Sequence, residues 1–181
     1  VYDDALFNYK AIFEAYISLR DPEASKSLEK LGGMMAELDA NLPLAKNLRT
    51  PMRGLSSPIS VVQNLYCGGC AGVRALAYNL PNDERTRAKY GSKKVMMRNL
   101  IETKYAKILT PIAKRVVVAE QLPKIDEKAF FNFILLHEVA HGLGPGLIKR
   151  KDGTETDVNK ALKDTYPAIE EAKADIAGIH T

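Results

Sequence analysis

Two histidines separated by three residues, with a glutamate directly after the first, form the stretch of this sequence best suited to chemistry. His137, Glu138 and His141 lie in FILLHEVAHGLG. Positions i and i+4 share a face of an α-helix, so both imidazoles can reach one ion. Zinc in a catalytic site takes three protein ligands and a water. The pattern therefore predicts a zinc site whose third ligand comes from elsewhere in the chain.

An acid-rich helix further along the chain offers that third ligand. The segment TYPAIEEAKADIAGI has Thr165 as a possible cap and Pro167 in its first turn. Its carboxylates are Glu170, Glu171 and Asp175. A glutamate followed four residues later by an aspartate lets one carboxylate bind the metal while the other accepts the free N–H of a ligating histidine. Alanines and isoleucines predict a buried helix, in which carboxylates without a partner would be costly.

Other interpretations of the histidine pair exist. An H-E-x-x-H string can arise by chance, and histidines on a buried helix can be satisfied by hydrogen bonds alone. A three-histidine metzincin site is excluded, because Gly144 fits its pattern but Leu147 stands at its last position. His180, near the chain end, is predicted to be a surface residue that binds no metal. In a two-histidine, one-glutamate site, Glu138 is positioned as the general base of amide hydrolysis.

The elements that must position these residues indicate a mainly α-helical fold with a small β element, an α+β class. We predict a helical segment at 1–49, whose first helix covers 3–22, and a small β and loop segment at 50–94 with the strands ISVVQNLY and VRALAYNL. A helical zinc-binding segment at 95–181 completes the division. It contains the zincin-like helix pair, and Asp126 is the predicted N-cap of its first member.

Composition narrows the function classes. Hydrophobic residues make up 46% of the chain, yet no apolar run reaches the ~18 residues of a membrane helix. The net charge of +4 is spread through mixed runs, which argues against a nucleic-acid partner. Cys67 and Cys70 lack the second pair of a zinc ribbon, and we interpret them as reduced thiols. These thiols and the lack of a disulfide framework favour a cytoplasmic location.

A family resemblance rests on HEVAHGLGPG and EEAKAD, preceded by NLPNDER and GSKKVMMRN. These motifs resemble the dipeptidyl peptidase III (M49-like) family of zinc exopeptidases, in particular its bacterial and plant branch of Zn-dependent hydrolases, some of them fused to a Nudix (MutT-like) domain. The resemblance implies one set of zinc ligands: His137, His141 and Glu171. It implies Glu138 as general base. Glu170 would accept from His141, and Asp175 from His137.

The same resemblance implies residues that bind a short peptide substrate. Asn79 and Asn82, in NLPN, would clamp the substrate backbone on a strand that pairs with the extended peptide. The segment FEAYI resembles one whose glutamate holds the free amine of the substrate and whose tyrosine supports the tetrahedral intermediate. In this chain those residues are Glu14 and Tyr16.

The chain also departs from the family. Its best-known members carry H-E-x-x-G-H, where this chain has H-E-x-x-H. The chain begins at Val1 without a methionine, and we expect a fragment whose further transition-state residues lie beyond Thr181. We therefore expect a zinc metallopeptidase that binds zinc but turns over poorly alone. The alternatives are a peptide-binding or scaffold module with a structural or vestigial zinc, hydrolysis of a non-peptide amide, and nucleotide processing through a Nudix partner domain. The sequence leaves the oligomeric state open.

Overall fold

A mixed sheet with helices packed on it forms the centre of the molecule. The computed structural model describes residues 2–4, 9–12, 15–45, 58–70, 75–80, 86 and 89–180, the first two ranges as backbone alone. Its strands are β1 (Tyr2–Asp4), β2 (Tyr9–Ile12), β3 (Ala15–Arg20), β4 (Ile59–Gly68), β5 (Ala77–Leu80), β6 (Lys93–Met97), β7 (Leu147–Lys149) and β8 (Glu155–Asp157). Its α-helices are α1 (Pro22–Ser27), α2 (Glu29–Asn41), α3 (Arg98–Lys104), α4 (Thr110–Val116), α5 (Glu127–Ala140), α6 (Val158–Leu162) and α7 (Tyr166–His180). This mixture confirms the predicted α+β class.

The four-stranded sheet has the order β3-β4-β6-β5, with β4 and β6 parallel and the other neighbours antiparallel. Successive side chains of a strand point to opposite faces. One face therefore joins the main helical core, and the other buries Val62, Val95 and Met97 under Tyr16 and Tyr78. β4 confirms the predicted strand ISVVQNLY, and β5 confirms the second half of VRALAYNL.

Two of the four strands in this sheet were not predicted from the sequence, and neither were β1, β2, β7 and β8. Helical spacing was expected from Val95, but Lys93–Met97 forms β6 in the interior of the sheet. A strand covered on both faces has a nearly continuous apolar run, which periodicity alone does not separate from a buried helix. The predicted helix over 3–22 is also wrong, because Ala15–Arg20 pairs with β4 as an edge strand. Tertiary pairing there overrides the local helical spacing.

A disulfide bond at the end of β4 corrects the interpretation of the cysteines. Cys67 and Cys70 are joined, with their Cα atoms 5.8 Å apart, so they are not the predicted reduced thiols. Gly69 lies between them with a φ of 75°, a conformation that glycine adopts without steric cost. Of the helices that the structure describes, none has the length and apolar character to cross a membrane.

The helices that carry the chemical motif are fixed by the core. Asp126 caps α5 as predicted, since its carboxylate accepts from the backbone N–H of Ala129 at 2.9 Å. Leu135, Val139 and Ala140 of α5 are buried against α2, the sheet and α7. Next to these buried residues of α5 lie the half-buried residues of the motif, His137, Glu138 and His141.

Candidate metal centre

The last turns of α5 bring the two imidazoles together. The Nε2 atoms of His137 and His141 are 3.0 Å apart, and their rings meet edge to face. Their side chains are 17% and 19% exposed, respectively. The helix places them at the border of the core, as its i, i+4 spacing predicted.

Small residues on α7 let the second helix approach α5 until their backbones touch. Ala174, Ala177 and Gly178 are the buried residues of α7. A Cβ added at Gly178 would lie 2.9 Å from the backbone nitrogen of His137. This close approach allows the short carboxylate side chains of α7 to reach the histidines.

Each histidine has a carboxylate on its outer nitrogen. His137 Nδ1 lies 2.8 Å from Asp175 Oδ1, and His141 Nδ1 lies 3.0 Å from Glu170 Oε1. A carboxylate accepts hydrogen bonds, so each Nδ1 carries the proton in the neutral ring and each Nε2 keeps a lone pair. The pairing of histidines with carboxylates is the one that the family resemblance implied.

Glu171 lies opposite the two inner nitrogens. Its Oε2 is 3.3 Å from His137 Nε2, and its Oε1 is 3.7 Å from His141 Nε2. One ligand atom from each of the three side chains lies within 4.8 Å of the others, so they form a group that can hold a metal ion. Two imidazole nitrogens and a carboxylate oxygen are a donor set that suits zinc.

Burial of the carboxylates differs from the expectation. Only Glu170 is largely buried, with 17% of its side chain exposed, while Glu171 and Asp175 are 64% and 55% exposed. The apolar residues Ile169 and Ile176 are also exposed, so α7 is buried only along its line of small residues. The prediction of a buried helix is therefore wrong for most of α7. As a consequence, the group opens to solvent on the side of Glu171.

The surroundings shift the pKa values of two acids at this site in opposite directions. Burial raises the pKa of the Glu138 carboxyl above its ordinary value, against the opposing effect of His141 and His137. Burial also acts to raise the pKa of Glu170, but the hydrogen bond with His141 and the charge of Lys173 outweigh it and hold that pKa below its ordinary value. Glu138 thus takes up a proton more readily than Glu170 does.

The residues implied in substrate binding lie on the sheet, where the structure describes them. Asn79 is on β5, and its Oδ1 is buried without a hydrogen-bond partner among the described residues. Tyr16 is on β3, where its ring stacks on that of Tyr78 at 6.3 Å. Asn82 and Glu14 lie outside the described residues. His180 is exposed at the end of α7, as predicted, and is not part of the metal-binding group.

Sequence reasoning missed three polar residues that surround the site. Lys94, on β6, is only 2% exposed, and its Nζ would lie 3.2 Å from a Cβ added at Gly142. Asp39, on α2, accepts from the backbone N–H of Gly144 at 2.7 Å. Lys173, on α7, lies 2.7 Å from Glu170. No local signal distinguished them, since Lys94 follows Lys93 at the start of β6 and does not interrupt an apolar run.

Comparison with known proteins finds a matching family model, two similar solved structures and one further relative. The model of peptidase family M49 matches residues 1–173. The structure of DPP III from Caldithrix abyssi aligns with a TM-score of 0.85 at 51% identity, over 97% of this chain and 34% of that one. Dipeptidyl-peptidase III from Corallococcus sp. strain EGB aligns with a TM-score of 0.88 at 45% identity, over 95% of this chain and 32% of that one. Nudix hydrolase 3 of Arabidopsis thaliana is 39% identical over 179 residues, 98% of this chain and 23% of the relative.

The fold and the site together define a mixed α/β protein whose two packed helices carry a His/His/Glu group able to hold a metal ion. The chain belongs to peptidase family M49. It spans about a third of the length of the two solved relatives and 23% of the plant relative.

Proposed function

We propose that this chain is the zinc-binding part of a metallopeptidase that hydrolyses amide bonds in short peptides. His137, His141 and Glu171 are its zinc ligands in this proposal. The facing Nε2 atoms, 3.0 Å apart, carry the argument. Both Nδ1 atoms are occupied by carboxylates, so two lone pairs face each other and repel. A cation held by both nitrogens removes that repulsion, and the oxygens of Glu171 complete its donor set.

The residues around the group have separate tasks in this proposal. Bound zinc supplies a Lewis acid that polarises a carbonyl and lowers the pKa of water. Glu138 accepts the proton of the attacking water and returns it to the leaving amine, a role that its raised pKa favours. Asp175 and Glu170 hold the Nδ1 protons of His137 and His141, which keeps the Nε2 atoms available.

The sheet supports a binding mode for the peptide. β5 is the last strand in the described order of the sheet, with β6 on its one paired side. An extended peptide can add to such an edge through backbone hydrogen bonds. Asn79 lies on this strand, and its Oδ1 has no hydrogen-bond partner among the described residues. In this proposal Asn79 clamps the substrate backbone, and Asn82, Glu14 and Tyr16 make the further contacts that the family resemblance implies.

The metal content of the purified chain tests the proposal. We expect about one zinc per chain by elemental analysis, because three ligands and a water complete a tetrahedral site. Glu171→Ala removes the exposed third ligand and should lose most of that zinc. Glu120→Ala removes an exposed glutamate on the turn after α4, away from the group, and should retain it. Equal zinc content in all three proteins would contradict the assigned ligands.

Peptide hydrolysis is the second part of the test. A zinc-loaded protein that includes the remaining length found in its relatives should cleave short peptides, and a chelator should abolish that cleavage. Stable zinc binding together with peptide binding but no cleavage would instead favour a binding module with a structural zinc.

A further inference from the structure

Lys173 makes two contacts that link separate parts of the metal centre. Its Nζ lies 2.7 Å from Glu170 Oε1 and donates to the backbone carbonyl oxygen of Leu143 at 3.0 Å. Two-thirds of the side chain is shielded, since 33% remains exposed. Neither the ligand set nor the proposed proton transfers use this residue.

The first contact concerns the partner of a proposed zinc ligand. The oxygen of Glu170 that Lys173 contacts, Oε1, also lies 3.0 Å from His141 Nδ1. Contacts from two donors, one of them a full positive charge, restrict the rotation of a carboxylate. Lys173 therefore holds the oxygen that orients the imidazole of His141.

The second contact concerns the turn that follows α5. Leu143 is 1% exposed, and the next residue, Gly144, has a φ of 81° and donates its N–H to Asp39. The turn begins directly after His141. Lys173 and Asp39 thus hold the backbone of the turn after α5 from two sides. One ammonium group ties α7 to this turn and to the carboxylate behind His141.

We propose that Lys173 is a positioning residue of the metal centre, which sets the orientation of His141 through Glu170 and the Leu143 carbonyl. This inference rests on the proposed zinc site. It predicts that Lys173 affects zinc affinity without touching the metal. Partners behind metal ligands typically change metal affinity by about 10–100-fold when they are removed.

The experiment compares Lys173→Met, which removes the charge, with Lys173→Arg, which keeps it. Lys160→Met is the matched control, since Lys160 also pairs with an acid three residues earlier, the N-cap Asp157 at 3.0 Å, but outside the metal centre. Zinc affinity is measured by competition with a chelator. The second readout is the nitrogen-15 NMR signal of the His141 Nδ1–H in the metal-free protein, which reports the tautomer and its hydrogen bond.

We expect Lys173→Met to weaken zinc binding by about tenfold or more and to speed solvent exchange of the His141 Nδ1 proton. Lys173→Arg should recover most of the affinity, and Lys160→Met should match the wild type. A Lys173→Met protein with wild-type affinity and an unchanged His141 signal overturns the inference. So does a loss of affinity that leaves the His141 signal unchanged, because Lys173 would then act through general stability.

Two further outcomes keep the proposals separate. If Lys173→Met does not fold, Lys173→Gln, which can still donate to a carbonyl, is compared in the same two measurements with the same criteria. If the wild type binds no zinc, the proposed function fails. The His141 signal in the metal-free variants then still decides whether Lys173 orients that ring.

Discussion

Glu138 combines burial with a carboxyl group, and both properties can be tested with Glu138→Gln. The variant keeps the size of the side chain but cannot accept a proton from water. It should keep its zinc and lose hydrolysis of short peptides, in the longer protein, by about 10²–10⁴-fold, the usual contribution of a general base. Parallel zinc analysis and peptide assays measure the two effects. Hydrolysis at the wild-type rate would contradict the assigned role.

The same variant should stabilise the metal-free fold at neutral pH. Burial raises the pKa of Glu138 in the folded state, so folding disfavours its ionised form. The wild type therefore loses stability as pH rises from the unfolded-state pKa of about 4.3 through the higher folded pKa. Glutamine carries no charge and avoids that loss. Urea denaturation should show the variant more stable at pH 7 and level with the wild type near pH 4, whereas a less stable variant at pH 7 would contradict this reading.

For single residues of the site, the sequence allowed a prediction in some cases and not in others. His137 and His141 were predictable because their spacing along one helix fixes their geometry. Lys173 and Lys94 were not, because a lysine on a surface and a lysine inside a site have the same local pattern. Their partners, the Leu143 carbonyl and the Gly142 region, depend on how α5 meets its neighbours.

The contact between α5 and α7 is the element on which the site depends, and Gly178 tests it. A Cβ at this position would lie 2.9 Å from one backbone atom of α5 and 3.0 Å from another, so Gly178→Ala must push the helices apart. Overpacking of this kind costs about 1–3 kcal/mol. We expect a loss of that size in the free energy of unfolding, and weaker zinc binding because the carboxylates of α7 retreat from the histidines.

Gly33→Ala is the matched control for this prediction. Gly33 lies inside α2, and a Cβ there meets nothing within 4 Å. Alanine in a helix interior is favoured over glycine by about 0.5–1 kcal/mol, so this variant should be more stable and bind zinc as the wild type does. Urea denaturation of both variants gives the comparison. A Gly178→Ala protein as stable as Gly33→Ala would show that the helices can separate without loss.

Elements differed in how well local pattern predicted them. α5 was predictable because Asp126 caps it and its sequence continues without a helix breaker to the end of the motif. β3 was not, because its strand state comes from pairing with β4, which lies distant in sequence. The close approach of α7 was not predicted either. Gly178 and its neighbouring alanines were visible, but the backbone contact they permit depends on the crossing of two helices.

On the scale of the whole molecule, the site joins parts of the chain that lie far apart in sequence. The imidazoles come from α5, the carboxylates from α7, and the turn after α5 is held by α2 through Asp39. The same core packs these helices on the sheet that carries Asn79. Local pattern predicted the parts, but only the shared core brings them to one place.

Zinc should therefore stabilise the whole described fold rather than one helix. A ligand that binds only the folded state adds about 2.7 kcal/mol at a free concentration one hundred times its dissociation constant. We expect the unfolding midpoint to rise with zinc and to return on chelation, and Glu171→Ala to remove the rise. Because the ligands must be deprotonated to bind, the rise should shrink as the solution is acidified. A midpoint independent of zinc in a protein that retains the metal would mean that zinc binds outside the folded helix pair.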